Sequence, residues 1–111
     1  MTLANDMTDW IDVAATSAIA DGEHVLAEVD GYPVAVFRIG DEFYAIEDVC
    51  SHDGAEIASG VLEGNDIVCP RHGARFCVKT GAVKCAPAYE DIRTFAVKLE
   101  NDRVWLADGP A

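Results

Sequence analysis

Positive charge is scarce in this chain. Eight Lys and Arg stand against twenty Asp and Glu, which leaves a formal charge of −12. So acidic a balance excludes a nucleic-acid binder and argues against docking on an anionic membrane surface. It favours a partner with a basic face. Long apolar runs are missing as well: no stretch could span a bilayer, although half the residues are hydrophobic and a core is possible. Residues 1–8 have neither a basic n-region nor an apolar h-region, so they do not read as a signal peptide. They are expected to form a disordered leader, and residues 108–111 a loose tail. Cysteine is limited to four residues, and in a leaderless chain that number does not point to a disulfide framework. No internal repeat, linker or low-complexity segment stands out, and 111 residues suit one domain, over residues 9–107.

Helix signals are few. Residues 10–13 alternate as a short strand. Thr16 and Ser17 can cap a helical turn or form a loop. Residues 22–29 and 32–39 read as strands on either side of Asp30-Gly31, a strong hairpin turn. Pro33 lies near the start of its strand, where proline is tolerated. Gly40-Asp41 makes the next turn and residues 43–46 the next strand. Further strands are expected at 61–62, 67–68, 76–78, 82–84, 92–99 and 103–106, with turns at Gly64-Asn65-Asp66, Thr80-Gly81 and Asn101-Asp102. Short strands joined by tight turns argue for an all-β meander. Phe37, Phe43, Tyr44, Phe76, Phe95 and Trp105 are expected in its core.

The chemistry is concentrated in residues 50–72. Cys50-Ser51-His52 is followed, after sixteen residues, by Cys69-Pro70-Arg71-His72. Thiolate is a soft ligand and neutral imidazole a borderline one, so the set suits zinc or an iron–sulfur centre. Its order differs from the common zinc spacings, which begin with paired cysteines and end with paired histidines. The two loops would hang from neighbouring strands and meet at one end of the sheet. Gly73 and Gly54 let backbone come close to a bound group. His24 lies outside the pattern. Cys77 reads as a buried small hydrophobe, and a Cys77–Cys85 disulfide is the alternative. Cys85 has no assigned role.

This pattern resembles the Rieske [2Fe–2S] motif, in which two cysteines bind one iron and two histidines the other. Phe76-Cys77-Val78-Lys79-Thr80-Gly81 and Ala86-Pro87-Ala88 are similar to the ferredoxin components of aromatic-ring-hydroxylating dioxygenase systems, and the likeness spans residues 22–106. It implies an antiparallel β sandwich with a cluster-binding loop subdomain. It implies one [2Fe–2S] cluster held by Cys50, His52, Cys69 and His72, with Pro87 in a third, shielding loop. It implies a cytoplasmic, monomeric one-electron carrier with no catalytic residues. Such a carrier takes electrons from an NAD(P)H-dependent flavin reductase and passes them to a terminal non-haem iron oxygenase, with His52 or His72 near the exit. Three alternatives share these residues: the small subunit of an assimilatory nitrite reductase, an accessory protein of iron–sulfur assembly, and a redox-silent zinc module.

High-potential Rieske proteins carry an extra cysteine in each loop, and a serine and a tyrosine that donate to the cluster. By position these places hold Ala55, Arg71, Ala74 and Phe76 here. Each absent donor disfavours the reduced cluster, so the potential is expected near the low end of the Rieske span, about −150 mV. It is also expected to fall as pH rises through the ligand-histidine pKa values, because added negative charge favours protonated histidine.

Charge is unevenly spread. Residues 39–70 hold eight acids and no Lys or Arg, whereas residues 71–84 hold Arg71, Arg75, Lys79 and Lys84 and no acids. Either the two signs pair across the tip, or they form an oriented docking face.

Overall fold

The computed structural model describes residues 10–50, 54–70, 73–85 and 90–107. Among these described residues ten antiparallel strands form two sheets. The larger contains β1 (Ile11–Ala15), β2 (His24–Val29), β3 (Tyr32–Ile39), β4 (Glu42–Glu47), β9 (Thr94–Glu100) and β10 (Arg103–Ala107), in the order β1-β10-β9-β4-β3-β2. The smaller contains β5 (Val61–Glu63), β6 (Asp66–Val68), β7 (Arg75–Cys77) and β8 (Val83–Cys85), in sequence order. One 3₁₀ turn, Thr16–Ala18, lies where Thr16 and Ser17 left a helical turn open. The leader at residues 1–8, the tail at 108–111 and Pro87 lie outside the described residues.

The expected meander is present, with shifts of one or two residues at strand ends. The β2–β3 hairpin turns on Asp30 and Gly31, with φ of 51° and 86°. Both residues take left-handed backbone, the requirement of a type I′ turn, and glycine meets it without steric cost. The β9–β10 turn does the same with Asn101 and Asp102, at 57° and 62°, residue types that tolerate this region.

β3 organises the molecule. Successive strand residues point to opposite faces, and four in a row, Val34, Ala35, Val36 and Phe37, are buried. Val34 and Val36 enter the sandwich core with Ile19, Val29, Phe43, Ala45, Phe95, Val104 and Leu106. Ala35 and Phe37 enter a second core with Ile46, Ile57, Ile67, Ala74, Phe76 and Val78. β4 divides in the same way, with Ala45 on one side and Ile46 on the other. The small sheet is therefore seated on the outer face of the sandwich by apolar packing. Each fully buried Phe or Ile contributes roughly 1.5–3 kcal/mol to that seat.

The aromatic expectation needs two corrections. Phe37, Phe43, Phe76 and Phe95 are buried, but Tyr44 and Trp105 are only half-buried. Both carry a polar group that needs a partner. The Trp105 indole N–H donates to the Glu100 carbonyl at 3.2 Å, and the Tyr44 hydroxyl donates to Glu42.

Candidate metal centre

Cys50 lies just past β4, and Cys69 just past β6. The strands that follow the first loop and precede the second are hydrogen-bonded to each other, with Val61 opposite Val68. This confirms that the two cysteine loops arise from neighbouring strands. Both cysteines are 1% exposed and belong to the second core. Burial alone is no signature of a ligand, since an unligated cysteine is also commonly buried.

The main chain says more. The Cys50 N–H donates to the Ala55 carbonyl at 2.7 Å, and the Gly54 N–H donates back to the Cys50 carbonyl at 2.7 Å. The Cys69 N–H donates to Ala74 at 2.7 Å, and Gly73 donates to Cys69 at 3.1 Å. A third copy follows, in which Cys77 donates to Ala82 at 2.9 Å and Gly81 to Cys77 at 2.7 Å. The three glycines have φ of 78°, 78° and 76°, a region that a side chain disfavours. The sequence spells the repeat: Cys50-Ser51-His52-Asp53-Gly54-Ala55, Cys69-Pro70-Arg71-His72-Gly73-Ala74 and Cys77-Val78-Lys79-Thr80-Gly81-Ala82. The expectation of no internal repeat is corrected here. A six-residue pattern with only three fixed positions is faint among residue types and plain in hydrogen bonds.

The third turn differs in one respect. Thr80 occupies the place that His72 holds in the second. Cys77 is half-buried and a free thiol, so neither the buried-hydrophobe expectation nor the Cys77–Cys85 disulfide holds. Burial pushes its thiol up, but hydrogen bonds from the Thr80 hydroxyl and from the Lys79 and Thr80 backbone N–H groups outweigh this, and the net shift is downward. A depressed thiol pKa stabilises the fold above the unfolded-state value, and that stabilisation is lost as pH falls through the folded value. Stability is therefore expected to rise with pH, from the lowered value up to the ordinary thiol range, in the native chain but not in Cys77→Ser. Parallel chemical denaturation curves across that window check it; identical pH profiles would contradict it.

His52 and His72 lie outside the described residues, as does Arg71. Among the described residues no three His, Cys, Asp or Glu side chains converge on a metal position. The two buried cysteines in matching turns suit a soft metal centre.

Two bases of the 71–84 stretch pair locally. Arg75 bridges Glu63 and Asp66 across β5, β6 and β7. Lys79 meets Glu42 at 3.9 Å and stands 5.5 Å from the Tyr44 ring centroid. The Glu42 hydrogen bond, with burial and the Glu42 charge, pushes the Tyr44 pKa up to about 12. For Arg75 and Lys79, then, the uneven charge resolves into pairing rather than a docking face.

Among the described residues, cavities of about 190 and 360 Å³ lie on the large sheet. Neither is lined by a residue of the first two cysteine turns. Sequence reasoning missed Asp48, whose carboxylate holds the first loop: Ile57 and Ala58 N–H groups donate to its Oδ1 at 2.9 and 2.8 Å. It sits in a stretch crowded with acids and carries no distinguishing signal there.

Comparison with known proteins agrees with this geometry. The Rieske [2Fe–2S] domain matches residues 9–96. The ferredoxin component of the naphthalene 1,2-dioxygenase/salicylate 5-hydroxylase systems of Ralstonia sp is 42% identical over 98 residues, covering 88% of this chain and 94% of the relative. The ferredoxin of carbazole 1,9a-dioxygenase from Nocardioides aromaticivorans superposes with a TM-score of 0.86 at 33% identity, over 90% of this chain and 98% of that one. A chain in the complex of reduced oxygenase and oxidized ferredoxin in carbazole 1,9a-dioxygenase gives 0.85 at 36% identity, over 92% and 95%.

Proposed function

The chain belongs to the Rieske [2Fe–2S] domain family, and from that premise we propose how its residues serve a ferredoxin component of an aromatic dioxygenase system. Such a component carries electrons and is not itself the enzyme. It receives them from an NAD(P)H-dependent flavin reductase and delivers them to a terminal non-haem iron oxygenase. Cys50 and Cys69 supply thiolates to one iron, and His52 and His72 supply ring nitrogens to the other. When bound, the cluster takes up and gives back one electron at a time. The cysteine turns hold both sulfurs in the apolar core, away from water. We place the protein, as a single domain over residues 9–107, in the cytoplasm. Among the described residues no helix is long and apolar enough to cross a membrane.

The observation that carries this reading is the pair of matching turns. Two buried cysteines sit on adjacent loops, each followed by a histidine in the sequence. A zinc module would use the same four residues, and colour separates the two. The purified protein is expected to be red-brown, to bleach with dithionite, and to restore NAD(P)H-driven turnover when added to a dioxygenase reductase and oxygenase. A colourless protein containing zinc would contradict it.

A further inference from the structure

Asp48 is the one buried charged side chain among the described residues, at 7% exposure. It follows β4 and stands two residues before Cys50, at most about 7 Å between Cα atoms. Its N–H donates to the Pro33 carbonyl at 2.8 Å and so extends the β3–β4 ladder by one bond. Its Oδ1 reaches across to the far half of the Cys50 loop, where it accepts from Ile57 and Ala58. Those two residues are 0% and 2% exposed and pack in the same core as Cys50 and Cys69. One residue thus ties β3, through its main chain, to the far half of the loop that carries Cys50, through its side chain.

A neutral amide oxygen could accept the same two N–H bonds. Among the described residues Asp48 forms no ion pair. Burying a carboxylate without a cation is costly, so the negative charge itself calls for a reason. An electron added nearby makes the same low-dielectric region more negative, and a fixed anion there disfavours that step.

We propose that Asp48 is a positioning residue for the cluster, which pins the loop after Cys50 and whose fixed charge holds the reduction potential down. This rests on the electron-carrier reading above. Asp48→Asn keeps an oxygen acceptor for Ile57 and Ala58 and removes the charge. By film voltammetry of the loaded protein, its midpoint is expected to rise. The reduced-to-oxidised ratio at fixed poise should increase about tenfold, equivalent to about 59 mV for one electron, with visible spectrum and iron content unchanged. Asp48→Ser, a shorter neutral acceptor, is measured beside it and should shift the same way. Asp48→Ala removes the acceptor too, and is expected to release iron to a chelator several-fold faster than the native protein. Neutral variants that keep the native midpoint would overturn the charge role. An alanine variant with native iron release would overturn the anchoring. A native protein that loads no iron fails the electron-carrier reading instead, so the two failures are distinct.

Discussion

Gly81→Ala is expected to be among the most destabilising single-methyl changes in the chain. A Cβ at Gly81 would lie 2.2 Å from the Ile92 carbonyl oxygen and 3.0 Å from Thr94 Cγ2. The backbone there is also left-handed, at φ +76°, which costs a non-glycine residue about 1–2 kcal/mol. The contact cannot be relieved by rotating a side chain, because the nearest atom is main chain. Gly81 is moreover the junction between the third turn and the segment leading into β9: its N–H donates to Cys77, and its carbonyl accepts from Ile92 at 2.9 Å. Overpacking adds about 1–3 kcal/mol to the conformational cost. Together these predict a fall in melting temperature of roughly 8 °C or more. Two companions separate the causes. Gly22→Ala has a positive φ of 83° and nothing within 4 Å of the new Cβ, so it carries only the strain. Gly60→Ala would place a Cβ 1.8 Å from the Val68 carbonyl oxygen, so it carries the clash and is expected to disturb the β5–β6 junction. Calorimetry of the three variants decides the matter; a Gly81→Ala protein that melts with Gly22→Ala would refute the close approach.

The second large effect concerns which turn holds iron. Three cysteines share one pattern of main-chain hydrogen bonds, and that pattern does not tell them apart. What distinguishes them is burial, nearly complete for Cys50 and Cys69 and partial for Cys77, and sequence: a histidine comes two residues after Cys50 and three after Cys69, whereas Thr80 comes three after Cys77. Cys50→Ala and Cys69→Ala are each expected to lose about 90% or more of the bound iron, because metal binding and loop order are coupled. Cys77→Ala is expected to retain iron and colour and to lose only the local hydrogen bonds from Thr80 and Lys79. Iron assay after purification reads the difference. Full iron in a Cys69 variant, or an empty Cys77 variant, would show that the turns have been assigned wrongly.

The candidate site stands out in the sequence because Cys50, His52, Cys69 and His72 are rare residue types at unusual spacing. Four residues in that order carry more information than their individual identities. The strands were legible where turn chemistry marked their ends, as at Asp30-Gly31 and Asn101-Asp102. Other features were not legible, for physical reasons. The run Val34, Ala35, Val36, Phe37 looks in the sequence like an ordinary strand, although a continuous apolar run of this kind is what a strand buried on both faces requires. Its second face is explained by the small sheet packed on it, a contact between residues distant in the sequence. Cys77 read as core because its neighbours Phe76 and Val78 are core, yet it alternates with them along the strand and its end. The threefold turn escaped notice because it is written in main-chain bonds. Asp48 was one acid among eight in residues 39–70, and only its burial singles it out.

These features fit a simple division of labour. β3 and β4 bury both faces and so fix the small sheet against the sandwich. The small sheet fixes the cysteine turns. Rigid scaffolding under functional loops is the common arrangement, and here it rests on fully buried Phe37, Ile46, Ile67 and Phe76.

The most direct measurement of the central claim is the electron paramagnetic resonance spectrum of the dithionite-reduced protein. Two sulfur and two nitrogen ligands divided between the irons predict a rhombic signal whose average g-value lies clearly below that of all-cysteine [2Fe–2S] ferredoxins. An average g-value at the all-cysteine position, or no signal from a fully loaded protein, would contradict histidine ligation by His52 and His72.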